Sequence, residues 1–330
     1  MSIFLDEKTW QLIKAISNSL SISEAARKAG IPKATVWRKI NNLFSKTRVR
    51  FIVSARALGL RPLVVFFEEK PTQLPNYTIS FRKALVSGKP MYMVIGLVPE
   101  KYITDYLFLF DKDPTLFLEY EDKIIWRPHL TEKYNAVTFF KNTFMLNYNI
   151  IRELIGVPEK KSAKSLDIYD LYIIAWKENY AFTPLTEIYM HALEDNIKAS
   201  RQLFSYHFRN HVIPLWIGNA VMLYKSMKDY PLRVFVYECE NAEELAFKLS
   251  LIPYIYTVYY SRDRIFFVGQ PSQKEIYELY SKLLSDYKPS PLICETYLEP
   301  SLMRFVVKYY KLWNKGWKRP IVAYKIKAKT

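Results

Sequence analysis

Glycine and cysteine are both scarce in this sequence of 330 residues, which contains eight glycines and two cysteines. The glycines form neither a GxGxxG nor a GxxxxGKS/T pattern, which excludes the phosphate-binding loops of kinases, P-loop ATPases and Rossmann dehydrogenases. Two cysteines are too few for a disulfide scaffold or a zinc ribbon. No run approaches the roughly 18 apolar residues of a membrane span, and the N-terminus lacks a signal-peptide pattern. We therefore expect a cytoplasmic chain with no membrane partner.

The positive charge is concentrated at the two ends of the chain. The net charge is +16, with 48 Lys and Arg against 32 Asp and Glu. Residues 1–60 hold +8 and residues 301–330 hold +9, whereas the stretch between them sums to −1. Basic charge confined to two segments is typical of contact with a polyanion such as DNA. Two alternatives to DNA contact remain for the C-terminal segment. Its aromatic residues could cover the second domain while its lysines face solvent, or its lysines could serve only to maintain solubility.

The first sixty residues have the order of a helix-turn-helix unit. Apolar residues recur every three or four positions over 5–20, which predicts an amphipathic helix. Ser21 and Glu24 form a capping-box pattern that starts a short alanine-rich helix. Gly30 ends that helix, and a basic third helix is predicted over 33–44.

The third helix is the predicted DNA-reading element, because the last helix of such a unit enters the major groove. Arg38 suits a guanine edge, Thr35 a thymine methyl group and Asn41 an adenine or a phosphate. Trp37 is expected at the edge of the core. Any single lysine of this region is alternatively a solvated surface residue. The residues predicted to contact DNA phosphates are Lys33, Lys39, Lys46, Arg48 and Arg50.

Residues 5–70 resemble the Lrp/AsnC family of prokaryotic transcription regulators. The resemblance is carried by Leu5-Asp6, by RKINNL at 38–43 and by FIVSARALGL at 51–60. It implies a DNA-binding head joined to a small βαββαβ domain that dimerises and often senses amino acids. It also implies double-stranded DNA as partner, a homodimer, and an amino acid or another metabolite as small-molecule effector. The wing glycine usual in the family is replaced by SKTR at 45–48, whose charge suits phosphate contact.

Two α/β units are predicted behind the head. In the first, strands at 62–69 and 91–97 flank a helix at 77–86, and a further helix and two strands follow Pro99. A long connecting helix is predicted over 132–156 and a polar linker over 157–165. Between residues 232 and 297 the order strand, helix, strand, strand, helix, strand is that of a ferredoxin-like βαββαβ domain.

The opening pattern recurs near residue 166, which indicates an internal duplication. Leu166-Asp167 echoes Leu5-Asp6, and helices are predicted after Thr183-Pro184 and over 199–213. Residues 166–225 carry five basic and six acidic residues, so this second helix-turn-helix is predicted to be degenerate as a DNA reader. We expect it to pack internally or to form a dimer contact. The predicted fold is α+β, with a winged helix-turn-helix at 1–60, a ferredoxin-like domain at 61–130, a connecting helix and linker at 131–165, the degenerate helix-turn-helix at 166–225, a second βαββαβ domain at 226–300 and a basic segment at 301–330.

No catalytic group, metal site or cofactor is predicted. His207 and His211 have the spacing of two metal ligands on a helix, but no Glu follows His207 as the HExxH motif requires. A structural histidine pair is therefore favoured. Cys239 and Cys294 could lie close together, because the first and last strands of a βαββαβ unit are neighbours. Two buried cysteines without a disulfide are favoured over a bonded pair.

These observations favour a sequence-specific DNA-binding transcription regulator that is not an enzyme. The alternative is a protein-interaction module that docks on the transcription or chromatin machinery without reading DNA. A third hypothesis, a small-molecule-binding enzyme, requires convergent polar groups in a pocket between the two α/β domains.

Overall fold

The N-terminal head contains the three helices that the sequence predicts. The computed structural model describes residues 5–44, 49–162 and 165–326, with the backbone alone at Phe44. The Ser21 side chain accepts a hydrogen bond from the Glu24 amide, and Gly30 ends the second helix with φ 64°. The elements are α1 (Glu7–Ser17), α2 (Ile22–Ala29), α3 (Lys33–Phe44) and the following strand β1 (Arg50–Val53).

The first sheet unit has a ferredoxin-like strand order, but its second long element is a strand where we predict a helix. Residues 78–86 pair with a strand on each side, so the helix predicted at 77–86 is wrong. The Ser87-Gly88 pair has φ 48° and 80°, the positive values of a two-residue hairpin turn, and this turn directs the chain back as a strand. The elements are β2 (Leu60–Phe67), β3 (Gln73–Pro75), β4 (Thr78–Val86), β5 (Lys89–Pro99), α4 (Ile103–Phe108), β6 (Leu116–Glu119) and β7 (Asp122–Ile125).

Residues 132–156, all of which are described, form a hairpin between two short helices instead of the predicted long helix. Asn135 has φ 52° directly after the first short helix, a backbone geometry that ends an α-helix. Phe139 and Phe144 of the hairpin pack against the Trp10 ring of α1, a contact between segments that local sequence patterns do not encode. The elements are α5 (Pro128–Lys133), β8 (Val137–Phe140), β9 (Thr143–Leu146) and α6 (Tyr148–Glu153).

The second half repeats the order of three helices, a strand and a sheet unit. The predicted strand and helix order of the second unit is present, with its last strand shifted to 296–304. The strands that follow the two heads, one from each half, pair antiparallel. A common origin of the two halves stays a prediction. The elements are α7 (Ile168–Asn179), α8 (Leu185–Glu194), α9 (Arg201–His207), β10 (Trp216–Ala220), β11 (Leu232–Glu238), α10 (Ala242–Leu249), β12 (Ile255–Tyr260), β13 (Arg264–Gly269), α11 (Gln273–Lys282), β14 (Ser290–Pro291) and β15 (Thr296–Arg304).

The two sheet units join into one sheet that curls until its ends meet. The strand order is β6-β2-β5-β4 in the first unit and β15-β11-β13-β12 in the second, and β4 pairs with β15 at the junction. At the far end β12 pairs with β7, although only Tyr120 and Glu121 separate β7 from β6 at the opposite end. Two residues span roughly 10 Å at most, so the sheet must close on itself. The inner face carries a core of apolar side chains from both units, among them Val64, Phe66, Val234 and Phe266.

The C-terminal segment folds back over the protein. Its last strand, β16 (Val322–Lys325), pairs with β3. The Trp317 indole donates to the Leu58 carbonyl at 2.9 Å, and the Tyr310 hydroxyl donates to the Asp195 carboxylate at 3.0 Å. The aromatic residues of this segment therefore cover the first unit and the second head, while its lysines up to Lys325 face solvent.

Both cysteines are free, but only one of them is buried. Cys239 is buried as expected, whereas Cys294 is exposed because it lies in the segment before β15, so the expectation of two buried cysteines is wrong for Cys294. Helices long and apolar enough to cross a membrane do not occur in the described part of the chain.

Candidate functional site

A cavity of about 400 Å³ lies between the two sheet units. Strands β4 and β5 contribute one wall, and strands β11, β12 and β15 contribute the other. Strands β1 and β7 and the C-terminal segment around Tyr309 supply further lining residues. Its volume lies in the range of small-molecule binding sites, which commonly form between two units of a protein.

Arg82 is a buried cation that lines the cavity. It lies on β4 opposite Met93, its side chain lines the cavity, and the residue is only 8% exposed. Its buried Nε atom has no hydrogen-bond partner among the described residues. Burial lowers the pKa of Arg82 below its usual value because the charged form loses hydration. A buried cation without a partner is costly to the folded chain, so this position suits an anionic ligand.

Three further cations line the same cavity. Arg50 projects from β1, Lys123 from β7 and Arg304 from the end of β15. Arg304 is exposed at the end of β15, yet the protein atoms packed around it lower its pKa to about 10, and the positive charges of Arg50 and Arg82 act in the same direction. Burial also lowers the pKa of Lys123, and Arg50 adds to that effect. Arg50 therefore lies close enough to repel Lys123 and Arg304, and Arg82 lies close enough to repel Arg304.

The cavity does not contain enough negative charge to balance these cations. Among the described residues that line it, Glu178 is the single acidic one. Its charge raises the pKa of Lys123, opposing the effect of burial. The remaining cations, Arg50, Arg82 and Arg304, form no ion pair with a described carboxylate. Four cations facing one carboxylate leave an excess positive charge, which an anion offsets when it binds.

Most of the other lining residues are apolar or aromatic, with Ser80, Asn179 and Thr257 as polar members. Met93, Ile95 and Leu298 come from the two sheet units, and Tyr256 and Tyr259 come from β12. Burial raises the pKa of Tyr259 to about 12, while Arg50 and Arg304 act in the opposite direction. The Tyr256 hydroxyl donates to the Gln270 side-chain oxygen at 2.7 Å. A ligand matched to this wall has an apolar body as well as negative charge.

The pairing and anchoring of the strands fix the positions of Arg304 and Lys123 in the cavity. The register of β4 against β15 shifts between Leu298 and Leu302, after which Arg304 pairs with Ser80 on β4. Asp122, directly before Lys123, accepts hydrogen bonds from the amides of Ala55 and Lys123, both at 2.8 Å. That carboxylate therefore holds the start of β7 against the segment that follows β1.

The predicted base-reading residues lie together on α3. Arg38 and Asn41 are exposed, and Thr35 is half-buried. Val36 and Ile40 are buried against the rest of the head, as the helical spacing predicts. Trp37, expected at the edge of the core, is 49% exposed and belongs to the same outer surface.

The five residues predicted to contact phosphate do not share one location. Lys33 is exposed at the start of α3, whereas the Lys39 ammonium donates to the Thr9 hydroxyl at 2.9 Å and lies 3.8 Å from the Asp6 carboxylate. Arg50 lines the cavity between the sheet units. The other two, Lys46 and Arg48, lie outside the described residues together with the predicted wing at 45–48.

Sequence reasoning missed Arg82, Lys123, Glu178 and Arg304 as members of one site. Arg82 falls in the segment 77–86 that was assigned to a helix, and Arg304 was counted with the basic C-terminal segment. The available signal was a charged residue inside a short apolar stretch, since strands buried on both faces rarely carry one.

The comparisons with known proteins give low similarity. The chain matches neither a protein-family model nor a curated protein. A solved structure of the siroheme decarboxylase NirDL is 11% identical with a TM-score of 0.48, covering 92% of this chain and 96% of that one. The structure of the same enzyme in complex with an iron-uroporphyrin III analogue is 11% identical with a TM-score of 0.47, covering 92% of this chain and 97% of that one. The leucine response regulatory protein of Mycobacterium tuberculosis is 20% identical with a TM-score of 0.24, covering 32% of this chain and 82% of that one.

These similarities assign neither a family nor an activity to the chain, and membership of the Lrp/AsnC family stays a prediction. They do correct one expectation. The chain was expected not to be an enzyme, yet two of these solved structures, aligned over most of both chains, are of an enzyme. The exclusion of enzymes is therefore withdrawn. The convergent polar groups that the third hypothesis requires are present in the cavity between the sheet units.

Proposed function

We propose that this chain is an enzyme that binds an organic molecule with several carboxylate groups and an apolar body in the central cavity. The observation that carries the proposal is the group of Arg50, Arg82 and Arg304, which face one cavity without a described carboxylate as partner. Arginine suits carboxylates because its planar guanidinium donates two parallel hydrogen bonds. The number of cations favours a molecule with more than one acidic group.

The same cavity suits decarboxylation. Carboxylates held by the arginines stay charged, whereas a carboxylate placed against Ile95 and Leu298 loses its hydration. In such a reaction the bond from carbon to the carboxylate breaks, CO2 leaves, and a proton takes its place on the carbon. Neutral tyrosine hydroxyls and water are the proton sources available at this wall. The similar decarboxylase binds an iron-uroporphyrin III analogue, and polycarboxylated porphyrins belong to the chemical class proposed here.

The test is a fluorescence titration of uroporphyrin III with the full-length chain, beside its methyl ester. The ester keeps the apolar body and lacks the negative charges. We expect the acid to bind at least about tenfold more tightly, since each lost charge-assisted contact costs on the order of 1 kcal/mol or more. Mass spectrometry of the incubated acid, free and iron-loaded, measures loss of CO2. Equal affinity for acid and ester, or binding of neither, contradicts the proposal.

A second candidate function is DNA binding through α3, favoured by the exposure of Lys33, Arg38 and Asn41 on one helix. These side chains form no described ion pair, so they are available to a partner. We propose that Thr35, Arg38 and Asn41 contact base edges and that Lys33 contacts phosphate. In this second candidate function, two chains bind DNA as a homodimer and a small molecule, such as an amino acid or another metabolite, acts as effector.

Selection of bound sites from random duplex DNA tests this second candidate. The Thr35→Ala, Arg38→Ala, Asn41→Ala variant is expected to lose the selected motif, because base contacts supply about 1 to 3 kcal/mol of discrimination each. The matched control changes Arg201, Gln202 and Ser205 to Ala on α9 of the second head, and it is expected to keep the motif. Binding without a motif, unchanged in both variants, favours the protein-interaction alternative.

A further inference from the structure

The second head contains a cluster of two imidazoles and one carboxylate that the central cavity does not use. Asp170 lies in the first turn of α7, His207 ends α9, and His211 lies in the π-helical turn that follows, Phe208–Val212. Asp170 is fully buried and His207 is 6% exposed, whereas His211 reaches the surface. We propose that these three residues bind a divalent transition-metal ion such as Zn²⁺.

The distances suit a coordination shell. The His207 Nδ1 atom lies 2.9 Å from Asp170 Oδ1, and the His211 Nδ1 atom lies 3.2 Å from the same oxygen. All three ligand atoms lie within 4.8 Å of one another. Zinc binds imidazole nitrogen and carboxylate oxygen at about 2.0 to 2.2 Å, and neighbouring ligand atoms around it are then separated by roughly 3 to 3.5 Å. Metal binding at these nitrogens requires each imidazole proton to move from Nδ1, where it is donated to the Asp170 carboxylate, to Nε2, together with a small adjustment of the side chains.

The backbone turns both imidazoles toward the carboxylate. The ring centroids of His207 and His211 are 4.7 Å apart and their planes meet at 78°, so the rings meet edge to face. In a regular α-helix, residues four apart share a face, and the π-helical turn adds a residue to the turn that carries His211. Single π-helical turns inside α-helices occur frequently at functional sites.

The charge of the cluster also favours a cation. Asp167 lies beside it, with its Oδ2 atom 3.6 Å from His207 Nδ1. The described ion pairs of Asp167 and Asp170 involve these histidines alone and include neither Lys nor Arg. With neutral imidazoles the cluster carries two negative charges, one of them fully buried. A divalent ion neutralises both, and Asp167 or water supplies the fourth ligand.

The position of the cluster indicates what the ion does. Asp170 belongs to α7, and the two histidines belong to α9 and its continuation. Helix α7 in turn packs against β1, which carries Arg50. The ion therefore links the first and third helices of the second head and stabilises the layer that supports one side of the cavity.

The test uses the full-length chain without a polyhistidine tag, since a tag binds the same metals. After dialysis against Zn²⁺ and then metal-free buffer, elemental analysis is expected to find about one zinc per chain. Co²⁺ is expected to bind in place of Zn²⁺ and to give visible absorption bands, a signature that a hydrogen-bonded histidine pair does not produce. A chelator is expected to lower the melting temperature.

Two variants separate this site from other histidines. His211→Gln, at the exposed ligand, is expected to lose the zinc, the Co²⁺ bands and the effect of chelator. His191→Gln is the matched control because His191 pairs with Glu194 outside the cluster, and it is expected to keep all three. The proposal is overturned if the unaltered chain retains no more zinc than His211→Gln, or if its Co²⁺ complex lacks visible bands.

Discussion

Arg82→Met is expected to stabilise the ligand-free protein and to weaken binding of a polycarboxylate strongly. The buried guanidinium has an Nε atom without a hydrogen-bond partner among the described residues and lies near the positive charge of Arg304. Methionine fills a similar volume and needs neither hydration nor a partner. We expect the free energy of unfolding to rise by about 1 to 3 kcal/mol, the cost of one unsatisfied buried polar group.

The affinity of the same variant is expected to fall by about 2 to 5 kcal/mol, roughly 30-fold or more, because a desolvated ion pair to the ligand is lost. Stability that rises while binding falls is the behaviour of a residue kept for function. Urea unfolding and the porphyrin titration measure the two effects. Arg262→Met, at an exposed arginine between β12 and β13, is the matched control and is expected to change neither. A destabilised Arg82→Met protein that binds the ligand normally would show that Arg82 serves the fold.

Asp122→Ala is expected to be the most destabilising of the changes considered. The Asp122 carboxylate is 4% exposed and accepts hydrogen bonds from the Ser54 hydroxyl and from the amides of Ala55 and Lys123. Alanine leaves these buried donors without an acceptor, which costs about 1 to 3 kcal/mol for each group that water cannot reach. Removal of the buried charge offsets part of this cost, so we expect a total loss of about 2 to 4 kcal/mol and a less firmly positioned Lys123 in the cavity.

Asp122→Asn is the matched control for that change. Burial raises the pKa of Asp122, which means that the charged form is disfavoured in the folded chain. A neutral amide avoids that cost, and its oxygen still accepts from the Ala55 and Lys123 amides. We expect less than half of the alanine effect, measured as a shift of the urea midpoint with an unchanged slope. If Asp122→Asn and Asp122→Ala lower the free energy of unfolding equally, the Asp122 oxygen does not stabilise the fold by accepting these hydrogen bonds.

The N-terminal head and the second sheet unit follow from local patterns. Ser21 and Gly30 act as cap and stop because the groups they satisfy lie within one turn of them in the chain. In the second unit the predicted strand at 232–238 matches β11, since a run of buried β-branched and aromatic residues has few other ways to bury its side chains. The exclusion of phosphate-binding loops is also a local argument, because such a loop needs glycines at fixed spacings within one short segment.

The segment 77–86 is an example of a secondary structure that local sequence patterns do not determine. Its residues suit either an amphipathic helix or a strand, and pairing with both β5 and β15 decided the outcome. The partner strand β15 lies more than two hundred residues away in the chain. No periodicity within nine residues contains that contact, which is why the prediction failed there.

By itself, the sequence determined the helical head, the order of strands and helices in the second unit and the placement of basic charge along the chain. Only the tertiary structure decided that the sheet closes on itself and brings Arg50, Arg82, Lys123 and Arg304 to one cavity. These four residues come from separate strands, and their charges are ordinary when read one at a time. They form a candidate anion-binding site only because they lie close together and because the arginines have no described acidic partner. Both conditions depend on packing between strands that are remote in sequence.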